Sequence, residues 1–167
     1  MHKSLEIRKK GFILSAVVGI DPGKKGAICL LDDGHPVFWD LSKHDPCQVL
    51  YSIKASFGSP YTIVEKQQAM PKQGLTSTFS IGFGYGQIIA ALKVLKFPFY
   101  EVRAKEWQSG LGLPTSKDKK AHKQAIFRIA SQIFPDSEFH GPKGALLDGR
   151  SDAAMIADYA RRRYAKA

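Results

Sequence analysis

Cysteine, acidic residues and long apolar runs are all in short supply in this 167-residue chain. Its two cysteines, Cys29 and Cys47, stand in no CxxC or Cys/His grouping, which argues against structural zinc and a disulfide framework and makes a reducing compartment the default. No apolar stretch approaches the ~18 residues of a membrane span. Residues 11–20 follow Arg8, Lys9 and Lys10 in the manner of a secretion signal. That stretch runs into Asp21-Pro22-Gly23 without a small-residue cleavage site, and cutting there would remove a strand. Internal repeats, low-complexity tracts and linkers are also missing, so residues 16–167 read as one domain behind a basic extension, residues 1–15.

Acid is the scarcest commodity relative to its counterpart. Fifteen Asp and Glu face 25 Lys and Arg, a net charge of +10 with a pI near 9.6. Such a surplus points to a polyanion, either nucleic acid or an anionic membrane surface, with an inert basic surface as the plain alternative. A hydrophobic content of 44% and an aromatic content of 11% supply a core of ordinary size and exclude disorder.

The pattern along the chain predicts strands at 16–20, 26–31 and 36–39, the first two joined as a hairpin through Asp21-Pro22-Gly23-Lys24-Lys25. A helix follows at 47–56 with Pro46 in its first turn, then a fourth strand at 61–65 and a polar loop over 66–78 broken by Pro71 and Gly74. Ile81, Tyr85, Ile88, Ile89, Leu92 and Leu95 recur at helical spacing over 78–96. Gly82, Gly84 and Gly86 each weaken that helix by roughly 1 kcal/mol relative to Ala, which points to close approach of another backbone or of DNA. A fifth strand is expected at 97–102. A helix at 116–134 would bury Ala121, Ala125, Ile126, Ile129 and Ile133 and turn Lys119, Lys120, Lys123 and Arg128 outward. A last helix covers 149–164. The expected fold class is α/β, a five-stranded mixed sheet flanked by helices.

Four acids stand out against this scheme. Asp21 ends the first strand, Glu65 ends the fourth, and Asp148 and Asp152 open the last helix four residues apart, on one face. A carboxylate at the end of a buried strand is unfavourable unless a cation or metal pairs with it. Mg²⁺ takes few carboxylates together with substrate phosphate oxygens, and pairs of such ions serve phosphodiester cleavage. Three of them also have an ordinary explanation: Asp148 and Asp152 lie at a helix start, where acids are favoured, and Asp21 before Pro-Gly is a common turn residue, whereas Glu65 after Tyr61-Thr62-Ile63-Val64 is harder to dismiss. Their joint occurrence in a basic single domain favours the metal site. No Ser/His/Asp or Cys/His nucleophile arrangement is visible, and His122 reads as a surface residue of the basic helix.

The segment Val18-Gly19-Ile20-Asp21-Pro22-Gly23, followed by Gly26-Ala27-Ile28, resembles the opening of RuvC-type Holliday junction resolvases of the RNase H-like superfamily. Ile63-Val64-Glu65 and Asp148-Gly149-Arg150-Ser151-Asp152-Ala153-Ala154 are similar to that family's further acidic motifs, and Phe83-Gly84-Tyr85-Gly86 is similar to its phage and chloroplast branch. The bacterial pattern sets the last two acids three apart, whereas here they are four apart, as in the chloroplast-like branch.

The resemblance implies an RNase H-like fold and two Mg²⁺ ions, with Mn²⁺ as substitute, held by Asp21, Glu65, Asp148 and Asp152. It further implies in-line attack of water on the scissile phosphate, 5′-phosphate and 3′-hydroxyl ends, and a homodimer that makes paired cuts in four-way DNA junctions. No small-molecule cofactor and no membrane partner follow from it. A bacterial or phage-infected cytoplasm is the expected setting, with an organellar address open.

The glycine-containing helix is the candidate dimer interface, an ordinary core helix being the alternative. Met70, Lys72 and Gln73 in the loop after Glu65, together with Phe79, are candidate contacts to bases near the cut or to the junction centre; a solvated loop is the alternative. Lys117, Lys119, Lys120 and Lys123 are candidate phosphate contacts, against a merely solvated helix face. Two further classes stay open, a nuclease acting on RNA–DNA hybrids with the same four acids and a non-catalytic junction-binding protein. Actin and sugar-kinase relatives share the sheet topology, but they need two such domains.

Overall fold

Alternation with a period of two splits the first strand between two cores: Val17 faces one, Val18 and Ile20 the other, and all three are buried. A strand buried on both sides belongs in the middle of a sheet. The computed structural model, which describes residues 16–164 except Met70 and Thr115, places it there. The strands are β1 (Val17–Asp21), β2 (Ala27–Asp32), β3 (His35–Asp40), β4 (Tyr61–Glu65) and β5 (Phe99–Val102). The helices are α1 (Pro46–Phe57), α2 (Leu75–Val94), α3 (Ala104–Gly110), α4 (Lys119–Ile133) and α5 (Asp148–Tyr164). Strand order is β3-β2-β1-β4-β5. β1 pairs antiparallel with β2, β2 antiparallel with β3, and β1–β4 and β4–β5 run parallel.

The parallel pairing of β1 and β4 matters most for function. With Ile20 opposite Val64, the two strands end side by side in Asp21 and Glu65. The β2–β3 turn uses Asp33 and Gly34, with φ of 49° and 79°, as a two-residue hairpin requires. Helices α1 and α2 cover one face of the sheet, and α3, α4 and α5 the other.

α5 is held against the sheet by missing side chains. A methyl group at Gly19 in β1 would overlap the backbone of Ala153 and Ala157, so the helix axis lies unusually close to the strand. At its start, Gly149 forms a parallel bridge with Gly26, and a methyl at Gly149 would overlap the Lys25 carbonyl. The beginning of α5 is thereby pressed onto the β1–β2 turn that follows Asp21.

The five-stranded mixed sheet and its flanking helices agree with the pattern in the sequence, and the boundaries differ where local chemistry competes. α1 begins at Pro46 because Asp45 caps it, accepting from the amides of Cys47 at 2.7 Å and Gln48 at 3.0 Å. α2 starts at Leu75, three residues before the expected point; Thr78 and Ser80 turn their hydroxyls back onto the carbonyls of Gly74 and Thr76, side-chain bonding that masks helical character in sequence. Among the described residues nothing lies within 4 Å of a methyl group placed on its three glycines, so the close approach expected there is not seen. The fifth strand begins only at Phe99, after Pro98. α3 was not expected at all, since seven residues are too few to show a period of 3.6. α4 starts at Lys119 behind an Asp118 cap. It buries Ile126 and Ala130, while Ala121, expected inside, is exposed. Cys29 is buried in β2, where desolvation pushes its thiol pKa up. The extension expected over residues 1–15 lies outside the described residues.

Candidate active site

The four acids singled out in the sequence come from three elements and meet at one end of the sheet. Asp21 ends β1; its Oδ1 accepts from the Gly23 amide at 3.0 Å, closing an Asx turn that aims the carboxylate back over the strand ends. Glu65 ends β4. Asp148 and Asp152 lie one turn apart on α5, whose first residue is Asp148. A cleft of about 210 Å³ is lined by Asp21, Asp148 and Asp152 together with Lys25, Lys123 and the glycines of the bridge.

The acids act on one another. Burial, then the charge of Glu65 and that of Asp148, raise Asp21 from 3.8 to about 7, against the lowering effects of the Gly23 amide and Lys123. Asp152 is driven well above the ordinary range by burial first and by Asp21, Glu65 and Asp148 next. Burial also raises Glu65, opposed by hydrogen bonds from Trp107 and Gln67. One desolvated, mutually repelling group of carboxylates is the result, and such groups collect at functional sites.

Two residues act on the centre in ways that the sequence did not show. The indole of Trp107, fully buried on α3, donates to Glu65 Oε2 at 2.8 Å, fixing that carboxylate from behind. Gln67 Nε2 reaches the other oxygen at 3.4 Å. No short motif marks Trp107; only its position just after a strand that pairs with β4 could have drawn attention to it. Trp107→Phe keeps the ring packing and removes the N–H, so unfolding free energy is expected to fall by only about 1 kcal/mol. Cleavage is expected to drop 10- to 100-fold, the effect typical of losing a group that orients a metal ligand, as measured by single-turnover assay.

Lys123 is the second. The sequence placed it on the outer face of its helix, where it is exposed, and its ammonium reaches from there to an ion pair with Asp148 Oδ2. The pair raises the Lys123 pKa, helped by the charges of Asp152 and Asp21. Lys117, Lys119 and Lys120 are exposed as expected. Lys72 is exposed with φ of 64°, and Gln73 is half-buried with its amide 3.4 Å from the Ser77 hydroxyl. Phe79 is 75% exposed and stacks on Phe83 at 6.4 Å. Met70 lies outside the described residues. His122 is half-buried rather than on the surface, and its Nδ1 has no hydrogen-bond partner among the described residues.

The donor set fits a hard divalent cation: carboxylate oxygens from three elements, with the site's excess negative charge met by one ammonium. As the side chains stand, no three metal-ligating groups among the described residues converge on a common point.

The chain matches no protein-family model and no curated protein. Solved structures do resemble it. RuvC of T. thermophilus in complex with a Holliday junction substrate aligns with a TM-score of 0.58 over 89% of this chain and 96% of that one, at 16% identity. A second Thermus thermophilus RuvC structure gives 0.55 over the same shares at 20% identity. The yeast mitochondrial Holliday junction resolvase Ydc2 gives 0.53 over 95% of this chain and 85% of that one, at 15%. The chain has the RNase H-like fold of RuvC-type proteins.

Proposed function

We propose that this protein is a divalent-metal-dependent endonuclease that resolves four-way DNA junctions by paired symmetric cuts in recombination or repair. The observation that carries the reading is that Asp21, Glu65, Asp148 and Asp152 lie at one end of the sheet, near enough for their charges to act on the buried Asp21 and Asp152, in a chain whose net charge is +10. Support comes also from the solved structures of the same fold, which are junction resolvases by name.

In this reading the four carboxylates hold two Mg²⁺ ions, or Mn²⁺ in their place. Bound there, such ions promote deprotonation of the attacking water and neutralise charge on the leaving 3′ oxygen. The chain's own residues set the geometry: Gly23 orients Asp21, Trp107 orients Glu65, and the Gly26–Gly149 bridge brings Asp148 up to the strand ends. The exposed apolar residues Leu75, Phe79 and Phe83 of α2, beside glycines with nothing near them, fit a homodimer interface that would present two such centres to opposite strands. No helix among the described residues is long and apolar enough to cross a membrane.

Incubation with synthetic four-way junctions, linear duplex and RNA–DNA hybrid, with and without Mg²⁺, tests the proposal. Symmetric nicks with 5′-phosphate ends are expected in the junction alone and only with the metal. Degradation of the hybrid with the junction intact would transfer the protein to the ribonuclease H class, and binding without cutting would make it a junction-binding protein. Lys119 and Lys120 are assigned to phosphates. Replacing either with Ala is expected to weaken junction binding uniformly across sequences and to lower the slope of log affinity against log salt by about 1, read by fluorescence anisotropy.

A further inference from the structure

Lys123 lines the acidic cleft with Lys25 and is paired there with Asp148, and its position is built rather than incidental. Asp118 caps α4 through the amides of Lys120 and Ala121. One turn beyond Lys123, Ile126 and Ala130 are buried in the same core as Ala153, Ala154 and Ala157 of α5. The helix that carries the ammonium and the helix that carries Asp148 are therefore locked together, and Lys123 reaches across to Asp148 Oδ2 from a fixed base. Its charge also acts on Asp21 and Asp152, so it serves the whole cluster and not one partner. Asp148 keeps only 23% of its side-chain surface, whereas Lys123 keeps 53%, so the ammonium can swing to solvent while the carboxylate stays.

Building on the metal-site reading above, we propose that Lys123 is a resident counter-ion that competes with a divalent cation for Asp148. When a cation takes Asp148, the ammonium is released toward the mouth of the cleft, where a substrate phosphate is the anion available to it. The device keeps the carboxylate cluster neutralised and folded without metal and sets the metal concentration at which the site becomes competent. A simple staple between α4 and α5 predicts the opposite behaviour on removal: loss of stability with no gain in metal binding.

The test is Mn²⁺ binding by isothermal titration calorimetry without DNA, on the unmodified protein, Lys123→Met and Lys123→Arg, each checked for folding by circular dichroism. Lys123→Met removes the charge and keeps the aliphatic stem; it is expected to bind Mn²⁺ roughly tenfold more tightly, as loss of one nearby like charge implies. Lys123→Arg is expected to bind like the unmodified protein. Equal or weaker Mn²⁺ binding by Lys123→Met, with the unmodified protein binding normally, overturns the counter-ion role and leaves the metal site standing. Absence of Mn²⁺ binding in all three proteins overturns the metal site and the counter-ion role together. Mn²⁺ uptake by Lys123→Met alone supports both.

Discussion

Asp21→Asn is expected to abolish junction cleavage and, in the same protein without metal, to raise thermal stability. The two effects have one cause. In the folded chain the Asp21 carboxyl is raised from 3.8 to about 7, by burial first and then by Glu65 and Asp148. The unfolded chain gives up that proton near the ordinary value, so across roughly pH 4 to 7 the folded state binds the extra proton and stability falls as pH rises; above about 7 the whole penalty is present. A shift of that size corresponds to an upper bound on the order of 4 kcal/mol, reduced by whatever solvent reaches the cleft. Asn carries no charge and escapes the penalty. Melting curves in EDTA are therefore expected to show the variant above the unmodified protein at pH 8 and level with it near pH 4. Mg²⁺ should narrow the gap at pH 8, because only the unmodified cluster gains from the ion. Cleavage by the variant is expected to fall on the order of 10³-fold or more, with junction binding retained in Ca²⁺. A variant that melts no higher than its parent at pH 8 would show that the acids do not repel as a cluster, whatever happened to cleavage.

The features of this centre that were legible in the sequence are those written as local contrast. An acid closing an apolar run stands out, so Asp21 and Glu65 were visible, and the pair Asp148 and Asp152 declared itself by helical spacing. The mixed sheet was legible as well, but the parallel pairing of the strands that end in Asp21 and Glu65 was not, because two strands and a helix separate them in the chain. Lys123 is exposed as its helical position suggests, but its ion pair with Asp148 left no trace in the sequence, since the partner is 25 residues away on another helix. Trp107 left no trace, since its partner Glu65 is 42 residues away and nothing local reports a contact across that separation. The close approach expected at the glycines of α2 is not seen among the described residues, where nothing lies within 4 Å of a methyl group placed on them.

Arg150 sits between the two acids of α5 yet points away from them, and removing it is expected to have the largest effect on stability. Its guanidinium grips Asp40 at the end of β3 with two bonds, Nε to Oδ1 at 2.7 Å and Nη2 to Oδ2 at 2.9 Å. A third bond goes to the Glu138 carbonyl at 3.0 Å, and the group lies over the Phe38 ring at 5.7 Å. Asp40 is buried, and the Arg150 bond holds its carboxyl below the usual range despite desolvation. Lys43, at 3.4 Å from Oδ2, is a weak reserve. Arg150→Ala leaves Asp40 charged and nearly dry, a change expected to remove about 3 kcal/mol of unfolding free energy at pH 7, measured with urea. The sign with pH is also set. A depressed folded pKa contributes stability above the ordinary 3.8 that is lost as pH falls below it, so the parent should lose this increment in acid while the variant has none to lose. The two urea midpoints should therefore converge as pH drops toward 3. Arg150→Lys is expected to recover little, because one ammonium cannot span both carboxylate oxygens and the Glu138 carbonyl. Since the same clamp anchors the first turn of α5, cleavage at 37 °C should fall with it and return at lower temperature, where the fold survives. Equal unfolding free energies for parent and variant at pH 7 would show that the Gly26–Gly149 bridge alone seats the helix.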